Sequence, residues 1–166
     1  MDYIWSPWRM AYIQGKNKEA GCVFCAEAGK PDDPENLIVK RGQRAYIILN
    51  RYPYTSGHLL VVPYDHQPTL SDLDAETRAE LMELVNEGIL VLESIYKPQG
   101  FNVGINIGEA AGAGITGHIH MHIVPRWGGD TNFISSLGNT RVLPESLGET
   151  YRRLYEAWNP DNVPGE

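Results

Sequence analysis

Cysteine is nearly missing from this chain: two residues in 166, Cys22 and Cys25, in a single C-x-x-C. That supply excludes a disulfide-stapled scaffold, and in a reducing compartment the pair reads as half a metal site or a thioredoxin-like redox pair. The redox reading wants a strand just before it, and Glu19-Ala20-Gly21 makes a poor one. Histidine is scarce too. There are five, and only His58 and His66 stand outside one short stretch, so a metal half-site has few residues to recruit. Long apolar runs are also lacking. Nothing approaches the roughly 18 apolar residues of a membrane-spanning helix, and the N-terminus shows no apolar signal-peptide centre. A cytoplasmic protein without a membrane partner is expected. Positive charge is in deficit, with 14 Lys and Arg against 21 Asp and Glu and a net charge of −7. Binding along a nucleic-acid backbone is therefore disfavoured, and a small anionic ligand needs a locally positive site. Repeats, low-complexity tracts and linkers are absent as well. Residues 1–166 are expected to form one domain around one core.

What the chain does have is Gly117-His118-Ile119-His120-Met121-His122-Ile123-Val124-Pro125-Arg126. Alternation of this kind is the pattern of a half-buried strand. Ile119, Met121 and Ile123 would enter the core, and His118, His120 and His122 would share the other face at steps of about 7 Å. Aligned imidazoles repel when charged and waste a core face when neutral, so the row reads as a site. Two chemistries use such a row. His-x-His can hold a zinc ion with an open position for water. Alternatively a neutral imidazole attacks phosphorus while its neighbours handle charge and protons.

Around this row the chain reads as alternating strands and one long helix. Residues 37–40, 45–50 and 58–64 are rich in Ile, Leu, Val and Tyr, with a turn-rich connection at 50–57. Asn50 stands at the end of a strand beside that connection, where a polar side chain can meet a ligand. Residues 74–97 place Leu81, Leu84, Val85, Gly88, Leu92 and Ile95 on one stripe, with Asp74 as N-cap and Lys97-Pro98 as the stop. Residues 101–107 alternate again, and a Gly/Ala-rich loop at 108–114 leads into the histidines; such a loop lets backbone N–H groups approach a phosphate. Residues 144–158 read as a terminal helix and 159–166 as a frayed tail, while Trp5, Trp8 and Tyr12 in residues 1–21 suit an aromatic turn packed on the body. The fold class is α+β: an antiparallel sheet of about five strands with the long helix packed on one face.

His-x-His-x-His followed by apolar residues and Pro125-Arg126 resembles the signature of the histidine-triad family of nucleotide hydrolases and transferases. Leu49-Asn50-Arg51-x-Pro53 with Gly57-His58-x-Leu60-Val61-Val62-Pro63 is similar to that family's ribose-binding segment. The opening Trp5-x-Pro7-Trp8-Arg9-x-x-Tyr12 and the string Trp127-x-Gly129-Asp130-x-Asn132-Phe133 resemble its dinucleoside polyphosphate phosphorylase branch. The likeness runs from the first tryptophan to Phe133.

The resemblance implies a homodimer in which His120 is the nucleophile that takes up a nucleoside monophosphoryl group. It implies that His122 donates to the phosphoryl oxygens, that Asn50 contacts the ribose, that Asn106 touches the phosphates, and that His58 supports the site from behind. It further implies a structural zinc held by Cys22, Cys25, His66 and His118, with no organic cofactor. Relatives carry Ser, Thr or Gln three or four residues before the first histidine, where this chain has Ile115 and Gly114. Gly114 offers only a backbone donor, Thr116 is the nearest hydroxyl, and Gly117 and Trp127 complete the expected nucleotide-binding set. The expected substrate is an adenine nucleotide, a diadenosine polyphosphate cleaved by inorganic phosphate or by water. The alternatives are a nucleoside phosphoramidate hydrolase and a nucleotide sensor without turnover. A zinc hydrolase using all three triad histidines would leave the cysteines unexplained.

Overall fold

The structure is a computed structural model that describes residues 21–31, 34–130 and 143–160. The aromatic opening with Trp5, Trp8 and Tyr12, the residues Asn132 and Phe133, and the tail beyond residue 160 lie outside the described residues.

Five strands form one antiparallel sheet: β1 (Ile38–Arg41), β2 (Ala45–Leu49), β3 (Leu59–Pro63), β4 (Gly100–Ile105) and β5 (Met121–Arg126). Their spatial order is β1-β2-β3-β5-β4. The register aligns Ile48 with Leu60, Leu60 with His122 and His122 with Gly104. Because side chains alternate along each strand, that row shares one face of the sheet. Ile47, Leu59 and Ile123 point to the other face.

The long helix α2 (Ala75–Tyr96) covers the second face, packing on β2, β3 and β5. It begins where expected: Asp74 accepts the Thr77 N–H at 2.6 Å, satisfying one of the orphan donors of the first turn. It ends with Lys97 in the left-handed region, φ 46°, just before Pro98. Leu81, Leu84, Val85 and Leu92 are buried, each apolar side chain contributing about 2 kcal/mol by its removal from water. Gly88 lets the helix close on the sheet, since a Cβ there would lie 2.8 Å from Ile123 Cδ1. Helix α3 (Leu147–Trp158) packs on α2 and β1, capped by Ser146. It starts three residues later than its sequence pattern predicts, after the Pro144 turn.

Two further differences from the sequence reading bear on the site. The ladder of β5 begins at Met121, so of the three histidines only His122 is a strand residue. Pro63 ends β3 and has no N–H for a partner strand; its carbonyl is taken instead by the His118 ring at 2.9 Å. The second is a short helix, α1 (Val23–Ala28), that carries the C-x-x-C. Tyr46 on β2 fastens it to the sheet by donating to the Phe24 carbonyl at 2.8 Å. Arg41 satisfies its C-terminal end, donating to the carbonyls of Ala28 and Lys30.

Candidate functional site

The histidine row serves two adjacent sites. His118 turns towards the cysteines, while His120 and His122 line a cavity on the open face of the sheet.

In the first site, Cys22 stands at the N-cap of α1 and Cys25 three residues further along. Cys22 Sγ lies 3.3 Å from His118 Nδ1, Cys25 Sγ 3.3 Å from His66 Nδ1, and Cys25 Sγ 3.6 Å from His118 Nδ1. All four donor atoms fall within 4.8 Å of one another. Zinc bonded to sulfur at about 2.3 Å and nitrogen at about 2.05 Å gives tetrahedral S···N edges of about 3.6 Å. The four residues fit that group. The Pro63 carbonyl can only accept, so it fixes the proton of His118 on Nε2 and leaves the Nδ1 lone pair for a metal. Burial holds His118 below the usual histidine range, the neutral form a ligand needs. Burial and the adjacent Cys22 sulfur raise the Cys25 thiol; a dication would reverse that by stabilising both thiolates.

In the second site, His120 is 6% exposed and donates from Nδ1 to the His118 carbonyl at 2.9 Å. A carbonyl cannot donate, so the lone pair of the neutral ring sits on Nε2. Burial lowers the His120 pKa, and the hydrogen bond to the His118 carbonyl offsets this only in part. Phe24 packs against the ring, centroids 4.9 Å apart, and His120 and His122 are 5.0 Å apart.

His122 is governed by His58, which is fully buried just before β3. The Tyr54 N–H donates to His58 Nδ1 at 3.1 Å, and His58 Nε2 lies 3.0 Å from His122 Nδ1. A backbone N–H can only donate, so His58 carries its proton on Nε2 and gives it to His122 Nδ1. His122 in its neutral form then bears its own proton on Nε2 and can act as a donor from that atom. The Tyr54 ring covers the pair, 4.5 Å from His58 and stacked on His122 at 10°. Next to His122 on the row, Gly104 leaves open space where another residue would put a side chain.

The cavity measures about 450 Å³, within the size range of small-molecule sites. Its walls bring together Asn50, Asn106, Gly114, His120 and His122, all singled out in the sequence, with apolar Phe24, Leu37, Ile48 and Leu60. Asn50 accepts the Tyr52 N–H at 2.9 Å through Oδ1, which turns Nδ2 towards His58 and the cavity. Thr116, Gly117 and Trp127 do not line it. Thr116 is exposed, Gly117 backs onto His66, and the Trp127 N–H is taken by Asp130, which also pairs with Arg126 at 2.6 Å. Sequence reasoning missed Phe24, Glu27 and Tyr54 and underrated His58. The one available signal was Phe24, a large apolar residue between the two cysteines.

Comparison with known proteins agrees with this geometry. Residues 31–129 match the family model of the HIT domain. An AP-4-A phosphorylase of Mycobacterium tuberculosis is 41% identical over 93% of this chain and 83% of its own length. A zinc-bound histidine triad family protein from Mycobacterium smegmatis superposes with a TM-score of 0.67 at 30% identity, over 86% of this chain and 96% of that one. A hypothetical histidine triad nucleotide-binding protein from Sulfolobus tokodaii gives 0.66 at 28% identity, over 84% of this chain and 93% of that one. With its triad running into the last strand of the five-stranded sheet and the HIT model matched across most of its length, the chain belongs to the histidine triad (HIT) family.

Proposed function

We propose that the protein cleaves diadenosine polyphosphates through a covalent nucleotidyl-His120 intermediate, with inorganic phosphate as the preferred acceptor. The observation that carries this reading is the His120 tautomer, Nδ1 bound to the His118 carbonyl and Nε2 left with the lone pair beside the cavity. Similarity to an AP-4-A phosphorylase supports the substrate class and the acceptor.

The chemistry then follows in two displacements. The Nε2 lone pair of His120 attacks the α-phosphorus, a P–N bond forms, and the bond from phosphorus to the bridging oxygen breaks. The electron pair leaves with the distal nucleoside polyphosphate. His122, donating from Nε2, steadies the charge that develops on the phosphoryl oxygens. A phosphate oxygen next attacks the same phosphorus, the P–N bond breaks, and ADP is released with His120 restored. Water in place of phosphate would yield AMP. Asn50 is assigned to the ribose, Asn106 and the backbone of Gly114 to the phosphates. Thr116, Gly117 and Trp127, which lie outside the cavity wall, are assigned to the surroundings of the nucleotide site rather than to direct contacts with it.

Cys22, Cys25, His66 and His118 are assigned to one structural zinc ion, which when bound supplies a fixed cross-link and no open coordination position. Its thiolates need a reducing compartment, so the protein is assigned to the cytoplasm; among the described residues no helix is long and apolar enough to cross a membrane. A homodimer is assigned to the edge of β4, where residues 102–104 are exposed and Val103 and Ile107 are 41% and 46% exposed.

The deciding experiment is product analysis with diadenosine tetraphosphate in phosphate and in phosphate-free buffer. ADP plus ATP, formed only with phosphate, supports the reading. AMP plus ATP at millimolar phosphate moves the protein to the hydrolases, and no cleavage in either buffer removes the catalytic reading.

A further inference from the structure

The apolar part of the cavity contains a carboxylate that the chemistry above does not use. Glu27 lies on α1 one helical turn beyond Phe24, whose ring packs on His120, and it lines the cavity with Leu37 and Ile48. It is 9% exposed. Its Oε1 pairs with Lys30 Nζ at 3.0 Å, while its Oε2 is buried and meets no donor among the described residues. An ion pair with Lys30 alone would not need this placement. Lys30 is half-exposed, and the same i,i+3 pair forms as well at the surface, where neither charge loses its water. Burying the carboxylate in a cavity wall that also holds Phe24 and Ile48 instead carries a desolvation cost that a second donor would offset.

The other polar side chain in this wall cannot supply specificity. Asn36 is committed at both ends, donating from Nδ2 to the Pro31 carbonyl and accepting the Ile38 N–H on Oδ1 at 3.0 Å. Among the described residues of this wall Glu27 therefore stands as the acceptor left open to a ligand, and an acceptor calls for an N–H on the ligand.

We propose that Glu27 reads the nucleobase: its carboxylate accepts a hydrogen bond from the 6-amino group of adenine. The assignment rests on the nucleotide reading above and deepens it. With the α-phosphate at His120 and the ribose at Asn50, the base enters the apolar slot beside Phe24, and its amino edge reaches Glu27. A base with a 6-keto group brings an acceptor oxygen to the same place, against an anion. The discrimination is between donor and acceptor at one position of the purine, the kind of difference a buried polar group amplifies.

The test is titration calorimetry of AMP and IMP into the metal-loaded protein, wild type, Glu27→Gln and Glu27→Leu. Wild type should bind AMP tighter than IMP by about tenfold to a hundredfold, the range of one hydrogen bond to a charged group. In Glu27→Gln the amide can turn either end to the base, so the ratio should fall to within a few-fold of one. In Glu27→Leu, with no polar group to leave unpaired, the ratio should fall likewise while AMP still binds. Equal affinities in the wild type, or an undiminished preference in the near-isosteric Glu27→Gln, would overturn the assignment. Failure of the wild type to bind either nucleotide would instead remove the nucleotide reading beneath it, and this one with it.

Discussion

The imidazoles of His58 and His122 meet at 3.0 Å, and the backbone N–H of Tyr54, 3.1 Å from the far nitrogen of His58, decides which ring donates. Three groups thus set a tautomer with one fixed donor at the start of the chain. Replacing His58 by Leu removes that control and leaves the Tyr54 N–H without its acceptor. The expected result is a fall in kcat on the order of 10², the lower range for a general acid–base group, with KM for the substrate little changed. Glu or Asp at this position would not serve, having no proton to pass on at neutral pH. Gln can accept from Tyr54 and donate to His122, so His58→Gln should recover part of the loss. Steady-state kinetics on the two variants checks this; an unchanged kcat in His58→Leu would dismiss the relay.

His120→Ala should lower turnover on the order of 10⁴ or more while AMP affinity stays within a few-fold, because the proposed mechanism assigns the nucleophile and the grip on the nucleotide to different residues. His120→Gly with added imidazole should regain measurable activity, the free ring taking the space beside Phe24. Substantial turnover in His120→Ala would rule out the covalent route.

How much of this was legible in the sequence depends on the distance between partners. Alternation around Met121 and the stripe from Leu81 to Leu92 are local periodicities: the helix forms where it is expected, and the strand forms from Met121 onwards, without His118 and His120. The C-x-x-C and the histidine spacing likewise announce themselves. The relay does not, because His58 finds one partner in a backbone N–H four residues back and the other 64 residues on. Helix α1, six residues long, is too short to show a helical period, and it is held by Tyr46 and Arg41 from the sheet. Glu27 reads as a surface residue until α1 is folded against β2 and its carboxylate becomes part of a wall. The early end of the histidine ladder follows from a proline in a neighbouring strand, which alternation within the triad cannot reveal.

Away from the site, Glu145 gathers the Tyr96 hydroxyl, Thr150 Oγ1 at 2.7 Å and Arg153 at 2.8 Å, joining α2 to α3. Burial raises the pKa of this carboxyl, but the three donors outweigh it and hold it below its ordinary value of 4.5. A depressed folded-state pKa means stability that is present above the unfolded value and lost as pH falls through the folded one. Glu145→Gln should therefore cost about 2 kcal/mol at neutral pH, the scale of hydrogen bonds to a charged group. The gap to wild type should close as the pH falls below 4.5. Urea denaturation at neutral pH and at low pH measures both; a gap that does not change with pH would contradict it.

Metal removal should reach further than the metal site, because the tetrad holds both sides of the cavity. Cys22 and Cys25 carry α1, and with it Phe24 and Glu27 of the cavity wall. His118 lends its side chain to the tetrad and its backbone carbonyl to His120 Nδ1, so one residue would link a bound metal to the tautomer of the proposed nucleophile. Elemental analysis of protein purified without chelator should find about one zinc per chain, as a single closed tetrahedron requires. Binding to the folded chain alone at about a thousandfold over Kd contributes about 4 kcal/mol, so chelation should lower Tm by roughly 10 °C. The melt should recover on adding zinc, and Cys22→Ser should melt low with or without it. Below its new Tm the chelated protein should also bind AMP more weakly, since α1 is then held mainly by Tyr46 and Arg41. Protein that contains no zinc, melts unchanged with chelator and shows both thiols freely reactive would dismiss the site. A lowered Tm with AMP affinity intact would confine the metal to stability and break the proposed link from the tetrad to the cavity.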